Sequence, residues 1–321
     1  MTHSEPARPG GPQLYELRYM RMWTKLRPGA RALLIGAAPL CEVLVYTMGD
    51  RAYAAEMARL LDPGGTLLRR GRLIAAPDCA TAGAKDLDVV LGAAPAVLIL
   101  DDTPAVWRRH RDNVITAERY HFFPSSAAGA GADASRTWLA RSSDEDEDDG
   151  VLAALLRLVR RVHAAFFDGA GGDASSVPPE ERDVRPLLRD MRARVLHGCV
   201  VMFSRGARRC ARSLLACCAR VTLTPHPMRA VFPQNEAAPE THALWRLARE
   251  LGADVAAAPR DGVTHVIATH GGTDKARWAA ARGVPVVTPD WLRACGARWE
   301  HMPEAKFPLC DVPAAAAVAQ A

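Results

Sequence analysis

Four residues within one stretch of the chain could together handle a phosphate: Thr47 in VYTMGD, Lys85 in AKDLD, and Asp101 and Asp102 in LILDDT. Moving a phosphoryl group to water through an aspartyl phosphate needs a carboxylate that attacks and a carboxyl that manages the proton. It also needs a hydroxyl and an ammonium to hold the phosphate oxygens, and further carboxylates for a divalent cation. Thr47 offers the hydroxyl, Lys85 the cation, and Asp101 with Asp102 the metal-binding carboxylates. Each alone has a plainer reading: Lys85 as a surface lysine, Thr47 as a helix N-cap. The aspartate pair is harder to explain away, because adjacent carboxylates repel unless a cation is near.

Such a set needs a scaffold that brings it to one edge. Glu42–Thr47 (EVLVYT) and Ala96–Leu100 (AVLIL) are short apolar runs, as in strands buried on both faces. Leu14–Leu26 alternates loosely and suits a strand or hairpin, and Arg72–Ile74 reads as a further short strand. Between them the sequence predicts a helix over Gly29–Pro39 with Pro28 in its first turn, one over Arg51–Leu61 stopped by Asp62-Pro63-Gly64-Gly65, and a short one over Lys85–Leu91. Alternating strands and helices imply a mostly parallel α/β sheet, and chemistry in such sheets gathers at the carboxyl ends of strands. Thr47 and Asp101 both stand at such ends.

The remaining chain sets limits. Its 321 residues suffice for two domains, and 49% hydrophobic with 24% charged residues is a soluble balance. A net charge of +5 permits an acidic partner without pointing to nucleic acid, so direct nucleic-acid binding is not expected. Arg far outnumbers Lys, which we read as the mark of a GC-rich genome. No run of 18 apolar residues occurs, so no membrane span or membrane partner is expected, and Met1–Pro12 lacks the apolar core of a secretory signal. The eight cysteines form no CxxC pair and no His–Cys spacing suited to zinc, as for reduced intracellular thiols.

Residues 124–150 are rich in Ala, Gly, Ser and acid and end in Asp144-Glu145-Asp146-Glu147-Asp148-Asp149, which reads as a solvated linker. The acid also precedes a helix over Val151–Phe167, where it complements the helix dipole. A flexible stretch, Gly169–Pro179, leads to a charged helix near Glu180–Arg194. The last third contains strands Arg194–Ser204, Asp254–Ala257, Thr264–Ala268 and Val284–Thr288. Helices at Glu240–Leu251, Asp274–Ala281 and from Asp290 alternate with them in a second α/β module. The resulting division is 1–13 and 311–321 disordered, 14–126 first domain, 127–193 linker and helices, and 194–310 second domain.

The segments MWTKLRPGARALL, VLVYTMGDRAYAAEMARLLDP, GRLIAAPDC, KDLDVVLG, LILDDTPAVWRRHRDNVI and ERYHFFPSS, spanning about Met20–Ser126, resemble the TFIIF-associating (Fcp-type) RNA polymerase II C-terminal-domain phosphatases. The plant and algal branch is the most similar. The resemblance implies a haloacid-dehalogenase-like doubly wound sheet and an Mg²⁺-dependent serine/threonine phosphatase acting in the nucleus. Its substrate would be the phosphorylated polymerase tail, with TFIIF as a further partner. It also implies that Thr47 and Lys85 bind phosphate, that Asp101 with Asp102 binds Mg²⁺, and that Trp107 and Asn113 belong to the motif that follows.

The family's nucleophile motif, DxDx(T/V) on an apolar strand upstream of Lys25, has no counterpart, since Met1–Trp23 contains no Asp. Asp86-Leu87-Asp88-Val89-Val90 has the pattern but follows Ala-Gly-Ala-Lys instead of a strand, and is a decoy. The absent strand would lie at the centre of the sheet, leaving both neighbours with unpaired backbone. The expectation is a chain without turnover, from a truncated product or an incomplete gene model.

GCVVMFS (Gly198–Ser204), THVIA, GGTDKARWA and VPVVTPDWL resemble a BRCT domain, with Trp291 as a core aromatic. The resemblance implies a phosphoserine cradle from Ser204, Thr273 and Lys275, or a single BRCT domain that binds no phosphate tightly. Gly206–Arg229, Arg-rich and holding three cysteines, departs from the family pattern. It reads as a translated intron or a lineage-specific loop, or alternatively as a basic patch. Two further readings are a non-catalytic BRCT adaptor for phosphoproteins and a DNA-repair BRCT scaffold; the latter leaves the ordered first-half motifs unused.

Overall fold

Along Leu14–Leu17 every second side chain is buried, the signature of a half-covered strand. This strand, β1, pairs antiparallel with β2 (Met22–Lys25), so the expected hairpin is present. The computed structural model describes the chain except residues 1–12, 69–71, 80, 91, 169–177, 179–180, 205–239, 241 and 310–321. The expected disordered ends, apart from Gln13, whose carbonyl accepts the Leu26 amide at 2.9 Å, and the Gly206–Arg229 insertion therefore lie outside the described residues. The chain divides into two compact units, Met1–Leu188 and Arg189–Ala321.

In the first unit, α1 (Ala30–Ala37) starts from Gly29, whose φ of 77° suits glycine. Pro28 thus stands just outside the helix, one step before the position the sequence suggested. Strand β3 (Val45–Tyr46) leads to α2 (Arg51–Leu61), which has the expected bounds because Asp50 caps it, accepting the Tyr53 amide at 2.7 Å. The N-cap is therefore Asp50 and not Thr47. Strand β4 (Leu73–Ile74) pairs parallel with β3, and β5 (Ile99–Asp101) pairs parallel with β6 (Val114–Thr116).

These four strands form two separate two-stranded sheets, and among the described residues no strand joins them. The strands are shorter than the apolar runs suggested and are not buried on both faces. Leu44 and Leu100 stay more than a third exposed, because nothing pairs on their open side. The expected helix at Lys85–Leu91 is only a single 3₁₀ turn, Leu87–Val89.

The acidic stretch differs most from its expected form. Residues 127–150 pack onto the first unit instead of forming a solvated linker. Helix α3 (Pro124–Gly129) buries Ala127, Thr137 is buried, and the ion pairs Lys25–Asp144 (2.8 Å) and Arg27–Glu145 (2.6 Å) are largely shielded from water. Glu145 also accepts the Val151 amide at 2.9 Å, the N-terminal compensation expected of acid before α4 (Val151–Asp168). Gly36 lets α1 approach α4 closely: a Cβ there would fall 2.6 Å from Leu156. The division between units then falls inside α5 (Val184–Ala193).

The second unit is built on one four-stranded parallel sheet. Its strands are β7 (Val200–Phe203), β8 (Asp254–Ala256), β9 (His265–Ile267) and β10 (Val286–Val287), in the order β10-β9-β7-β8. Helix α6 (Ala243–Glu250) precedes β8, α7 (Asp274–Ala280) joins β9 to β10, and α8 (Pro289–Arg298) follows β10. Val201, Ile267, Leu292 and Trp291 are fully buried, and the Trp291 indole N–H donates to the Met302 carbonyl at 2.8 Å. Burying each such side chain contributes about 1.5–3 kcal/mol.

Candidate active site

Thr47 follows β3 and Asp101 ends β5, so both stand at carboxyl ends of parallel strands, as expected. Lys85 links these two ends. Its ammonium donates to the Tyr46 carbonyl at 3.1 Å and to Asp101 Oδ2 at 2.6 Å. The open edge of β3 thus meets a side-chain donor where a neighbouring strand would offer an amide. The ion pair is nearly buried, with 11% and 9% of the two side chains exposed. Lys85 is accordingly not a surface lysine.

Asp101 is held from three sides. Besides Lys85, the Trp107 indole donates to Oδ2 at 2.8 Å and the Thr103 amide donates to Oδ1 at 2.8 Å. Burial alone would raise its pKa, but the hydrogen bonds from Lys85, Trp107 and Thr103 outweigh burial and hold it below the ordinary carboxylate value. Lys85 also sits 5.4 Å and 5.5 Å from the Tyr46 and Trp107 ring centres, and these rings meet edge to face at 5.2 Å. Burial and the Cys79 hydrogen bond push the Tyr46 phenol up to about 12.

Asp102 behaves differently, although it is the next residue. Its side chain is about half exposed, with Oδ1 accepting from the Thr103 hydroxyl at 2.9 Å and Oδ2 lying 3.4 Å from Arg119. Thr47 accepts the Gly49 amide at 3.0 Å on its hydroxyl oxygen. Asn113 is buried and donates to the Ala94 and Val97 carbonyls, which places it as a clasp on the loop before β5. Asp86, from the decoy, is not on a strand. It pairs with His110 at 2.9 Å, and that hydrogen bond leads the causes holding its carboxyl down at about 2.

The sequence reading assigned no specific role to two partners of this site, the Tyr46 carbonyl and the Trp107 indole. The Tyr46 role has no side-chain signature. Trp107 lies six residues after Asp101, a spacing that could have suggested its contact.

In the second unit Ser204, Thr273 and Lys275 come together at the carboxyl end of β7. The Ser204 and Thr273 hydroxyls are 2.5 Å apart, and Lys275 donates to the Phe203 and Ala257 carbonyls at 3.0 and 2.6 Å. Ser204 is buried, so the cluster is closed upon itself here.

Residues 4–128 match the NLI interacting factor-like phosphatase family and residues 231–291 the twin BRCT domain. The chain is 40% identical to the RNA polymerase II C-terminal domain phosphatase-like 4 of Arabidopsis thaliana, covering 96% of this chain and 63% of that relative. It is 36% identical to the phosphatase-like 3 protein of the same plant, covering 88% of this chain and 20% of that relative. The chain therefore spans less than two thirds of either. The solved structure of Fcp1, described as an essential RNA polymerase II CTD phosphatase, matches with a TM-score of 0.59 at 23% identity, covering 89% of this chain and 81% of that one.

Proposed function

Because the chain belongs to the Fcp-type, NLI interacting factor-like phosphatases that carry a BRCT domain, we propose that it provides the phosphate- and metal-holding part of a serine/threonine phosphatase for the RNA polymerase II C-terminal domain. The observation that carries this reading is Lys85, fixed between the carboxyl ends of β3 and β5. A buried ammonium oriented by a carboxylate, a carbonyl and two aromatic faces is preorganised for a phosphate oxygen at low reorganisation cost. Thr47 adds a hydroxyl at the same edge.

Asp102 and the Oδ1 atom of Asp101 would hold Mg²⁺, and this all-oxygen donor set suits a hard cation. Asp102 is the better placed, since Asp101 is already committed to Lys85 and Trp107. Bound there, Mg²⁺ would neutralise charge on the phosphate oxygens. Asp101 then acts chiefly by holding the Lys85 ammonium in place.

Among the described residues no DxDx(T/V) strand lies between β3 and β5, so turnover is not expected from this chain alone. The substrate would be the phosphorylated polymerase tail, the compartment the nucleus, and TFIIF a further partner. Purified chain given an aryl phosphate and Mg²⁺ should release no phosphate above buffer, and metal-dependent hydrolysis would sink this part of the proposal.

A second reading, a non-catalytic adaptor for phosphoproteins, rests on the convergence of Ser204, Thr273 and Lys275. It predicts binding of a phosphoserine heptad peptide that Lys275→Ala weakens and Lys85→Met leaves unchanged.

A further inference from the structure

At the amino end of the second unit's sheet, away from Ser204, three side chains converge that neither the family resemblance nor the proposed function uses. They are His265 on β9, His301 after α8, and Glu304, which starts a 3₁₀ turn. Glu304 Oε1 lies 3.0 Å from His265 Nε2 and 3.7 Å from His301 Nε2, and the three ligand atoms all fall within 4.8 Å of one another. We propose that this trio is a transition-metal site, with Zn²⁺ as its cation.

The separations suit the ion. Ligand bonds of about 2.0–2.2 Å in tetrahedral zinc put neighbouring ligand atoms roughly 3.3–3.5 Å apart, between the two measured contacts. The 3.7 Å contact is too long for a hydrogen bond, so His301 Nε2 is aimed at the same oxygen as His265 without bonding it. Two imidazole nitrogens and one carboxylate oxygen favour zinc over magnesium, which prefers oxygen alone.

The surroundings orient the ligands as metal sites require. His265 is buried and stacks on Trp291 with ring centres 4.6 Å apart at 17°, while the His301 ring stands edge-on to Trp291 at 5.6 Å. The other nitrogen of His265, Nδ1, meets the Thr264 hydroxyl at 2.8 Å. That hydroxyl lies 3.1 Å from the Val200 carbonyl and has one proton to give. On the far side of the ring, Nε2 faces Glu304 Oε1 at 3.0 Å, within hydrogen-bond distance. A divalent cation can replace the proton shared by Nε2 and Oε1, and an oxygen on the far ring nitrogen is the usual outer partner of a zinc-bound histidine. His301 and Glu304 are each more than a third exposed at the side chain, which leaves an entry path and a fourth position for water.

The test uses the full chain, stripped with EDTA and titrated with Zn²⁺ by calorimetry in reductant and a large excess of Mg²⁺. Wild type should bind one Zn²⁺ equivalent more than either His301→Ala or Glu304→Gln. X-ray absorption on wild type and His301→Ala should show the additional zinc in a nitrogen–oxygen shell. Equal stoichiometry in wild type and both variants overturns the proposal, as does an additional zinc ringed by sulfur. Neither result bears on the phosphate site, which lies in the other unit.

Discussion

The two units solve the same problem, a parallel sheet between helices, to different degrees. In the second, four strands join edge to edge, and Met202 and Val266 on adjacent strands are wholly buried. In the first, the parallel strands come as two pairs of two or three residues, beside the antiparallel β1–β2 hairpin, and Leu44 and Leu100 remain partly exposed. Where backbone ladders are complete, side chains are free to pack as an apolar core. Where they stop, polar side chains take over the linking: Lys85 satisfies a strand carbonyl, and Asp144 and Glu145 reach back to Lys25 and Arg27. The first unit should therefore depend on charge and the second on packing.

Trp291→Ala gives the sharpest contrast. Removing a fully buried indole should cost about 3–5 kcal/mol and abolish hydrogen-exchange protection in β7 and β9 while leaving β5 and β6 unchanged. Lys85→Ala should do the converse. Leaving Asp101 buried without its cation costs about 3 kcal/mol or more, with protection lost around β3 and β5 only. Equal effects of either variant on both units would break the comparison.

Acid should separate the units next. Asp101 and Asp86 are held below the ordinary carboxylate value, Asp86 at about 2. Their contribution is complete above about pH 4 and is lost as pH falls through the folded values, so the first unit should open first between about pH 4 and pH 2. In the second unit, the His265 hydrogen bond lowers Glu304 in the same direction, at a side chain about a third exposed. Arg249→Ala sits at the small end: its pair with Asp254 is well exposed on both sides, and the melting temperature should hold to within about 0.5 kcal/mol of stability.

Much of this organisation was legible in the sequence, for local reasons. Helix α2 keeps its bounds because Asp50 starts it and Asp62-Pro63 stops it. The second sheet follows from apolar runs that really are buried. The acidic run misled because composition reports only that charges can be solvated. The guanidinium that binds Glu145 lies 118 residues away in sequence. Thr47, Lys85 and Asp101 stand out by their order along the chain, but the different surroundings of Asp101 and Asp102 depend on Lys85, Trp107 and the Thr103 amide, which enclose the first while the second stays about half exposed. The His265 cluster has no signature in the sequence for a related reason: only His301 and Glu304 are neighbours in the chain, and none of the three is a cysteine.

The stacking of His265 on Trp291 has an optical consequence. An indole lying flat against an imidazole transfers an excited electron readily once the imidazole carries positive charge. Emission from Trp291 should therefore respond when a closed-shell cation such as Zn²⁺ binds His265. The second unit thus carries its own lamp, set 4.6 Å from the group whose state it would report.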